Sequence, residues 1–313
     1  MKYSYKIFIS IFISFGIVQS QEWRPSPKDT FFAFDIDDVL VQPSYFHKAY
    51  LVSAGMWQQP LNSYYWICSL LKIRNSYKRD AHGKREKLLD QDGNPINGLS
   101  FQFLYHGMRD ENLATYVPWI VDTIEYSRVP IEGTVEICAY LKNQKGYTIV
   151  FATNKDRVSY DAFSKNIGDE VVELPEKVFV AQPGNNQKFL SEIKKYCKQE
   201  NISPNYKQFA DEVLSIKPTQ QVRHVPHVKP DTEYFGYVHS VVEEENNKKN
   251  MIFIDDKQEN IDGITQYGNT QKDCHIIGIT FKNPYFLAKQ LVVLGILSKQ
   301  DDAVLLNLMK QYK

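Results

Sequence analysis

The sequence predicts an α/β fold, a doubly wound parallel sheet carrying an inserted helical domain. Three observations predict it. Phe31-Phe32-Ala33-Phe34 is an unbroken apolar run that ends in Asp35-Ile36-Asp37-Asp38. From Pro130 onward, short apolar runs alternate with helix-like patterns. Between these two regions, residues 41–128 change character to helical periodicity and abundant aromatics. A strand that is apolar at every position is buried on both faces, as in a parallel sheet covered by helices. Strands that alternate with helices imply the crossover connections of such a sheet.

The chain has 313 residues, enough for one large core or for a core with a smaller domain. It is 43% hydrophobic and 24% charged, the make-up of an ordinary globular protein. Its formal charge is zero, so no global basic field points to a nucleic-acid partner. Residues 1–20 read as a secretory signal peptide. Lys2 and Lys6 precede an apolar stretch from Ile7 to Val18, and Val18-Gln19-Ser20 offers a small-residue cleavage site. That stretch is shorter than the roughly 20 residues that cross a bilayer. The expectation is an exported protein, periplasmic or secreted, with no stable membrane insertion after cleavage; an uncleaved anchor is the alternative. Cys68, Cys138, Cys197 and Cys274 are scattered without CxxC spacing, so no zinc or redox motif emerges. Cys138 and Cys274 sit in apolar contexts that suit buried thiols. Nothing in the sequence fixes the oligomeric state.

Residues 21–30 form a polar, proline-containing lead-in to the first strand. Within 41–128, Leu113, Tyr116, Val117, Ile120, Val121 and Ile124 recur at helical spacing, and Pro118 should kink or restart that helix. Asp90 to Gly98 is a concentrated turn signal. The basic run from Lys72 to Lys87 reads as a solvated helical face, or as a surface that steers anions. The aromatics of 64–66 and 101–105 read as core of the insertion. After Pro130 come a short helix with Val135, Ile137, Cys138 and Leu141, a strand at 147–152 and a helix over 156–166. A strand at 177–181 and a helix over 186–199 follow. Pro204, Pro218, Pro226 and Pro230 predict irregular backbone across 200–230; His224 and His227 there read as surface histidines, although their spacing could bind a metal. A helix over 232–245, a strand at 251–254, a helix from about Glu259 and a strand at 276–281 complete the core. Val304, Leu305, Leu308 and Met309 predict a C-terminal amphipathic helix. The resulting division is a signal at 1–20, a core of 29–40 and 129–313, and a helical insertion at 41–128.

Three strands end in polar residues of one chemical kind. The first ends in Asp35-Ile36-Asp37-Asp38, where Asp35 and Asp37 project to the same side of an extended segment. Crowded carboxylates repel and lose solvation unless a cation or proton intervenes. An anionic, all-oxygen donor set suits Mg2+. A polar turn after a strand is the plainer reading of that stretch alone. The second strand runs into Thr153-Asn154-Lys155, and a later one into Asp255-Asp256 with Asn260 following; Val228-Lys229-Pro230-Asp231 lies between them. The carboxyl ends of strands are where open α/β sheets keep their ligand crevices.

Together these residues resemble the haloacid-dehalogenase-like (HAD) superfamily of phosphotransferases. Its four motifs are a DxD after the first strand, a Thr or Ser after the second, a Lys, and an acidic pair after a later strand. The matches, in that order, are Asp35/Asp37, Thr153, Lys229 and Asp255/Asp256. The resemblance covers about residues 29–40 and 130–282, and the insertion falls where the family carries its C1-type helical cap. What it implies is a Rossmann-like sheet with that cap and a Mg2+-dependent phosphatase; with the signal at 1–20 and the insertion over the strand ends, the expectation is an exported enzyme acting on a small phosphorylated metabolite.

The resemblance also implies roles. Asp35 attacks phosphorus and becomes an aspartyl phosphate, while Asp37 protonates the leaving oxygen and later deprotonates the attacking water. Mg2+ is held by Asp35, the Asp37 backbone carbonyl and Asp256, with Asp255 as the fallback ligand. Thr153, Asn154 and Lys229 face the phosphoryl group. Such a constellation suits a reaction that requires up to ~10^21-fold acceleration, mostly by positioning and charge neutralisation. Asp38 stands where the family often has glycine and Val39 where threonine is frequent, and Lys217-Pro218 could replace Lys229-Pro230. Two other classes stay open, a metal-independent dehalogenase and a non-enzymatic binding or effector protein on the same scaffold.

Overall fold

The computed structural model describes residues 23–44, 88, 89, 96, 98–182 and 187–298. The expected signal, the basic run 72–87, the aromatics of 64–66, Cys68 and the expected helix around 304–309 lie outside the described residues. So does most of the turn at 90–98.

Six parallel strands form the main sheet, in the order β6-β5-β4-β1-β7-β8. The central strand, β1 (Thr30–Phe34), pairs with β4 (Thr148–Asp156) on one side and β7 (Asn250–Asp255) on the other. Beyond β4 lie β5 (Lys177–Ala181) and β6 (Val222–Val225); beyond β7 lies β8 (Ile276–Thr280). The chain winds outward from β1 in both directions, so the architecture is the doubly wound, Rossmann-like α/β fold.

Alternation along β1 explains why it is apolar throughout. Phe32 and Phe34 join one buried cluster with Ile137, Cys138 and Leu141 of α3 (Glu132–Asn143), Phe163 of α4 (Arg157–Ser164) and Leu287 of α10 (Pro284–Val293). Phe31 and Ala33 join the opposite cluster, with Phe235 and Val238 of α8 (Thr232–Asn246) and Ile264 of α9 (Gln258–Thr270). Each fully buried Phe contributes about 1.5–3 kcal/mol over its exposed state. A strand covered on both faces therefore gains from apolar residues at consecutive positions.

A third cluster joins two helices of the expected insertion to the body of the chain. These are α1 (Leu99–Gly107) and α2 (Glu111–Tyr126). They pack through Phe101, Leu104, Val117 and Ile120 on Phe189 and Ile193 of α6 (Gln187–Cys197) and on Tyr206 and Phe209 of α7 (Pro204–Ser215). A short antiparallel pair, β2 (Val41–Pro43) with β3 (Arg128–Pro130), brings the two ends of the expected insertion together. The short α5 (Asp169–Val172) lies between α4 and β5.

Several expectations change. The stretch 200–230 is irregular only in part, because it holds α7 and β6. Pro204 occupies the first turn of α7, where its missing N–H costs nothing, and Tyr206, Phe209, Ala210 and Val213 supply a buried helical face. Helix α2 is one element through Pro118 and does not restart there. Cys138 is buried, but Cys274 is only half-buried; with Cys197 they are free thiols. No described helix is long and apolar enough to cross a membrane.

Candidate active site

The carboxyl end of β1 turns sharply. The amides of Leu40 and Val41 both donate to the Ile36 carbonyl, at 3.0 and 3.1 Å, and Asp38 N donates to Val41 O at 2.7 Å. This coil needs one residue at positive φ, and Asp38 takes it at 62°. Aspartate is among the few non-glycine residues that visit that region readily, which accounts for its presence there. The turn leaves Asp35 buried at the strand end and Asp37 at the edge of a cavity of about 310 Å³.

Lys229 sits beside Asp35. Its ammonium donates to Asp35 Oδ1 at 2.9 Å, to Asp255 Oδ2 at 2.7 Å and to the Ala152 carbonyl at 3.0 Å, so its three N–H donors are all engaged. The other expected lysine, Lys217, is exposed beyond α7. Asn154 fixes the backbone of Lys229, accepting from its N–H at 3.0 Å and donating to its carbonyl at 3.3 Å. Asn154 lines the cavity, yet its amide serves chiefly to hold the lysine in place. Gly263 of α9 completes the support: a Cβ there would lie 2.1 Å from the Pro230 carbonyl oxygen. Only a residue without a side chain lets α9 approach this loop.

Among the described residues, the bonds to the Asp35 carboxylate from Lys229 and from Ile36 N, at 2.8 Å, fall on Oδ1. Oδ2 is left as the oxygen that can face the cavity. Burial pushes the Asp35 pKa up to about 7 against the pull of Lys229, and the Asp255 and Asp37 carboxylates push the same way. Thr153 is buried beside it, its hydroxyl accepting from Lys155 N at 3.2 Å and so keeping its own proton to donate.

The acidic pair after β7 divides into two environments. Asp255 is saturated: Asn260 Nδ2 donates to both of its oxygens at 2.9 Å, Lys257 N donates to Oδ1, and Lys229 to Oδ2. Asp256 has a buried Oδ1 with no hydrogen-bond partner, and burial raises its pKa. One oxygen from each of Asp35, Asp255 and Asp256 lies within 4.8 Å of the others. Three clustered carboxylates, one of which keeps a buried oxygen without a hydrogen-bond partner, are a donor set that fits a hard divalent cation.

Asp37 is held by residues that the sequence motifs do not include. Its Oδ1 lies 3.1 Å from Lys155 Nζ and 3.4 Å from Arg128 Nη2. Lys155 in turn lies 2.6 Å from Glu125 Oε2, at the end of α2. Burial disfavours ionisation of Asp37, but Lys155 and Arg128 outweigh it and hold its pKa below the usual carboxylate value. Lys155 could have been found from the sequence, since it stands two after Thr153 on a strand and shares its face. Glu125 and Arg128 carry no such signal, because an acid late in an amphipathic helix reads as solvated.

No protein-family model matches the chain, and no curated protein matches it. Among solved structures it is similar to L-2-haloacid dehalogenase from Xanthobacter autotrophicus with chloropropionic acid covalently bound. The identity is 13% and the TM-score 0.35, over 88% of each chain. A second structure of L-2-haloacid dehalogenase from Xanthobacter autotrophicus gives 13% identity and a TM-score of 0.34, over 88% of this chain and 87% of the other.

Proposed function

We propose that the protein is a HAD-type hydrolase, an exported, Mg2+-dependent phosphatase that hydrolyses small phosphomonoesters through an aspartyl phosphate on Asp35. The observation that carries this reading is the clustering of Lys229 and the Asp255-Asp256 pair around Asp35, with Asp35 and Lys229 lining the cavity. Asp35, the Asp37 backbone carbonyl and Asp256 would hold the metal; when bound, Mg2+ supplies charge neutralisation and orientation for the phosphoryl oxygens.

The chain's own residues supply the rest. Asp35 Oδ2 attacks phosphorus, the bond from phosphorus to the ester oxygen breaks, and that oxygen takes a proton from Asp37. Thr153 donates its hydroxyl to a phosphoryl oxygen, and Lys229 holds the nucleophile and offsets negative charge. In the second half, Asp37 takes a proton from water, the hydroxyl attacks phosphorus, and Asp35 is released with inorganic phosphate. The ionised resting form of Asp37 is the one the second half requires; for the first half it must carry a proton, taken from solvent or from the phosphate monoanion as the ester binds. A cavity of about 310 Å³ suits a small ester better than a protein surface.

Metal-free displacement of halide by Asp35 is the alternative. It gives no task to the orphaned Asp256 oxygen or to Asp37, which favours phosphoryl transfer. The test is hydrolysis by the purified protein of a panel of phosphate esters and of 2-haloacids, with Mg2+ and with chelator. Phosphate release that disappears with chelator supports the proposal. Halide release that persists in chelator, without phosphate release, overturns it.

A further inference from the structure

Glu125 belongs to none of the recognised motifs, yet its side chain is 1% exposed and its Oε2 lies 2.6 Å from Lys155 Nζ. Lys155 is 4% exposed and reaches Asp37 Oδ1 at 3.1 Å. A glutamate and a lysine buried this deeply are costly to desolvate, and a hydrophobic pair would often do as well for stability. Their arrangement instead has a directional consequence. Asp37 Oδ1 is sealed from solvent between Lys155 and Arg128, which hold it by charge and not by a well-aligned hydrogen bond, although the side chain as a whole is 28% exposed. The oxygen left to reach the cavity is Oδ2.

We infer that Glu125 and Lys155 are positioning residues that aim the Asp37 carboxyl at the leaving-group oxygen. Glu125 holds the ammonium at 2.6 Å and sets where it stands. The ammonium then fixes Oδ1, so that Oδ2 is presented to the substrate. Arg128 closes the other side of Oδ1. Because Glu125 lies at the end of α2 and Arg128 in β3, the returning limb of the insertion takes part in orienting the acid–base residue. The inference rests on the phosphatase reading above and adds to it the residues that orient its proton transfer.

The experiment compares kcat/KM for two small esters, 4-nitrophenyl phosphate, whose leaving group departs with little help from a proton, and an alkyl phosphate, whose leaving group needs one. Acid–base catalysis contributes about 10²–10⁴-fold. Glu125→Gln and Lys155→Met should each cost roughly ten- to a hundredfold on the alkyl ester and much less on the nitrophenyl ester. Glu125→Gln keeps the shape and one acceptor, which safeguards folding; a thermal melt checks both variants. In an Asp37→Asn background, neither substitution should widen the gap between esters further, because the group they aim is already disabled. Equal losses on both esters, or an additional alkyl-specific loss without the Asp37 carboxyl, overturn the assignment and leave a structural ion pair. Wild-type protein inactive on both esters overturns the phosphatase reading, and the inference with it. These two failures are distinguishable.

Discussion

The Lys229 ammonium stands 2.9 Å from Asp35 Oδ1, yet it does not fully offset the cost of burying that carboxylate. Burial comes first among the causes, and Asp255 and Asp37 add to it, so the Asp35 pKa rises from 3.8 to about 7. A group whose folded pKa is raised contributes stability that is present below its unfolded pKa and lost as pH rises through the folded value. In metal-free protein, Asp35 should therefore destabilise the fold increasingly between pH 3.8 and about 7. Asp35→Asn should abolish phosphate release at any pH. In chelator at pH 7 it should also raise stability, by less than burial alone would give because Lys229 loses a charged partner, with the gain fading toward pH 4. Thermal melts across pH check this; a destabilised variant at pH 7 would show that the Lys229 contact outweighs burial.

The unequal surroundings of Asp255 and Asp256 predict unequal effects on metal binding. Asp256 has an orphaned oxygen to offer, whereas both oxygens of Asp255 are occupied by Asn260 and by Lys257 N or Lys229. Asp256→Ala should weaken Mg2+ binding at least tenfold, with little loss of stability. Asp255→Ala should mainly destabilise, by about 3–5 kcal/mol, since it strips a partner from a buried lysine. Titration with Mg2+, followed by melts of both variants, separates the two. The reverse order of binding loss reassigns the ligand.

The sheet was legible because its strands obey a simple rule of burial. A run such as Phe31 to Phe34, apolar at each position, has few alternatives to a strand covered on both faces. The acids that follow are readable for the opposite reason, since Asp35 and Asp37 cannot be crowded together without a cation. Helix α7 was obscured by Pro204, a residue that breaks a helix interior and starts a helix equally well. Glu125, Arg128 and Gly263 were not legible as site residues. Their importance comes from contacts 30, 91 and 33 positions away in the chain, to Lys155, Asp37 and Pro230, and no local pattern encodes these.

His106, in the last turn of α1, predicts a pH dependence of opposite sign. Burial, helped by Arg109, lowers its pKa from 6.5 to about 4. The unfolded chain therefore takes up the proton first as pH falls. Stability should be complete above pH 6.5 and decline as pH drops toward 4. The side chain is partly exposed, so solvent screening reduces the effect. His106→Gln should flatten this limb of a urea-denaturation profile while leaving the Asp35 limb unchanged. An unaltered acid limb in the variant would assign the slope to other groups.

Gly263 offers the sharpest test of how the site is supported. A Cβ at this position would meet the Pro230 carbonyl oxygen at 2.1 Å and Phe235 Cε2 at 3.0 Å. A flexible side chain could swing aside, but a backbone carbonyl cannot, so either the loop or α9 must move. Moving the loop shifts Lys229, next to Pro230, away from Asp35 and Asp255. Moving α9 shifts Asn260, one turn earlier in the same helix, away from Asp255. Both routes disturb the same carboxylate cluster, although Gly263 itself touches none of it. Overpacking of this kind costs roughly 1–3 kcal/mol, whereas a misplacement of about 1 Å at a reacting group can cost about 10²-fold in rate. Gly263→Ala should thus remain folded, with a modest loss in denaturation midpoint and a fall in kcat of tenfold or more. Gly268→Ala, farther along α9, is the comparison: its Cβ would meet Ile276 at 3.2 Å, away from the cluster. It should lose stability without a comparable loss of kcat. Equal effects of the two substitutions on kcat would show that the approach of α9 to Pro230 does not position Lys229.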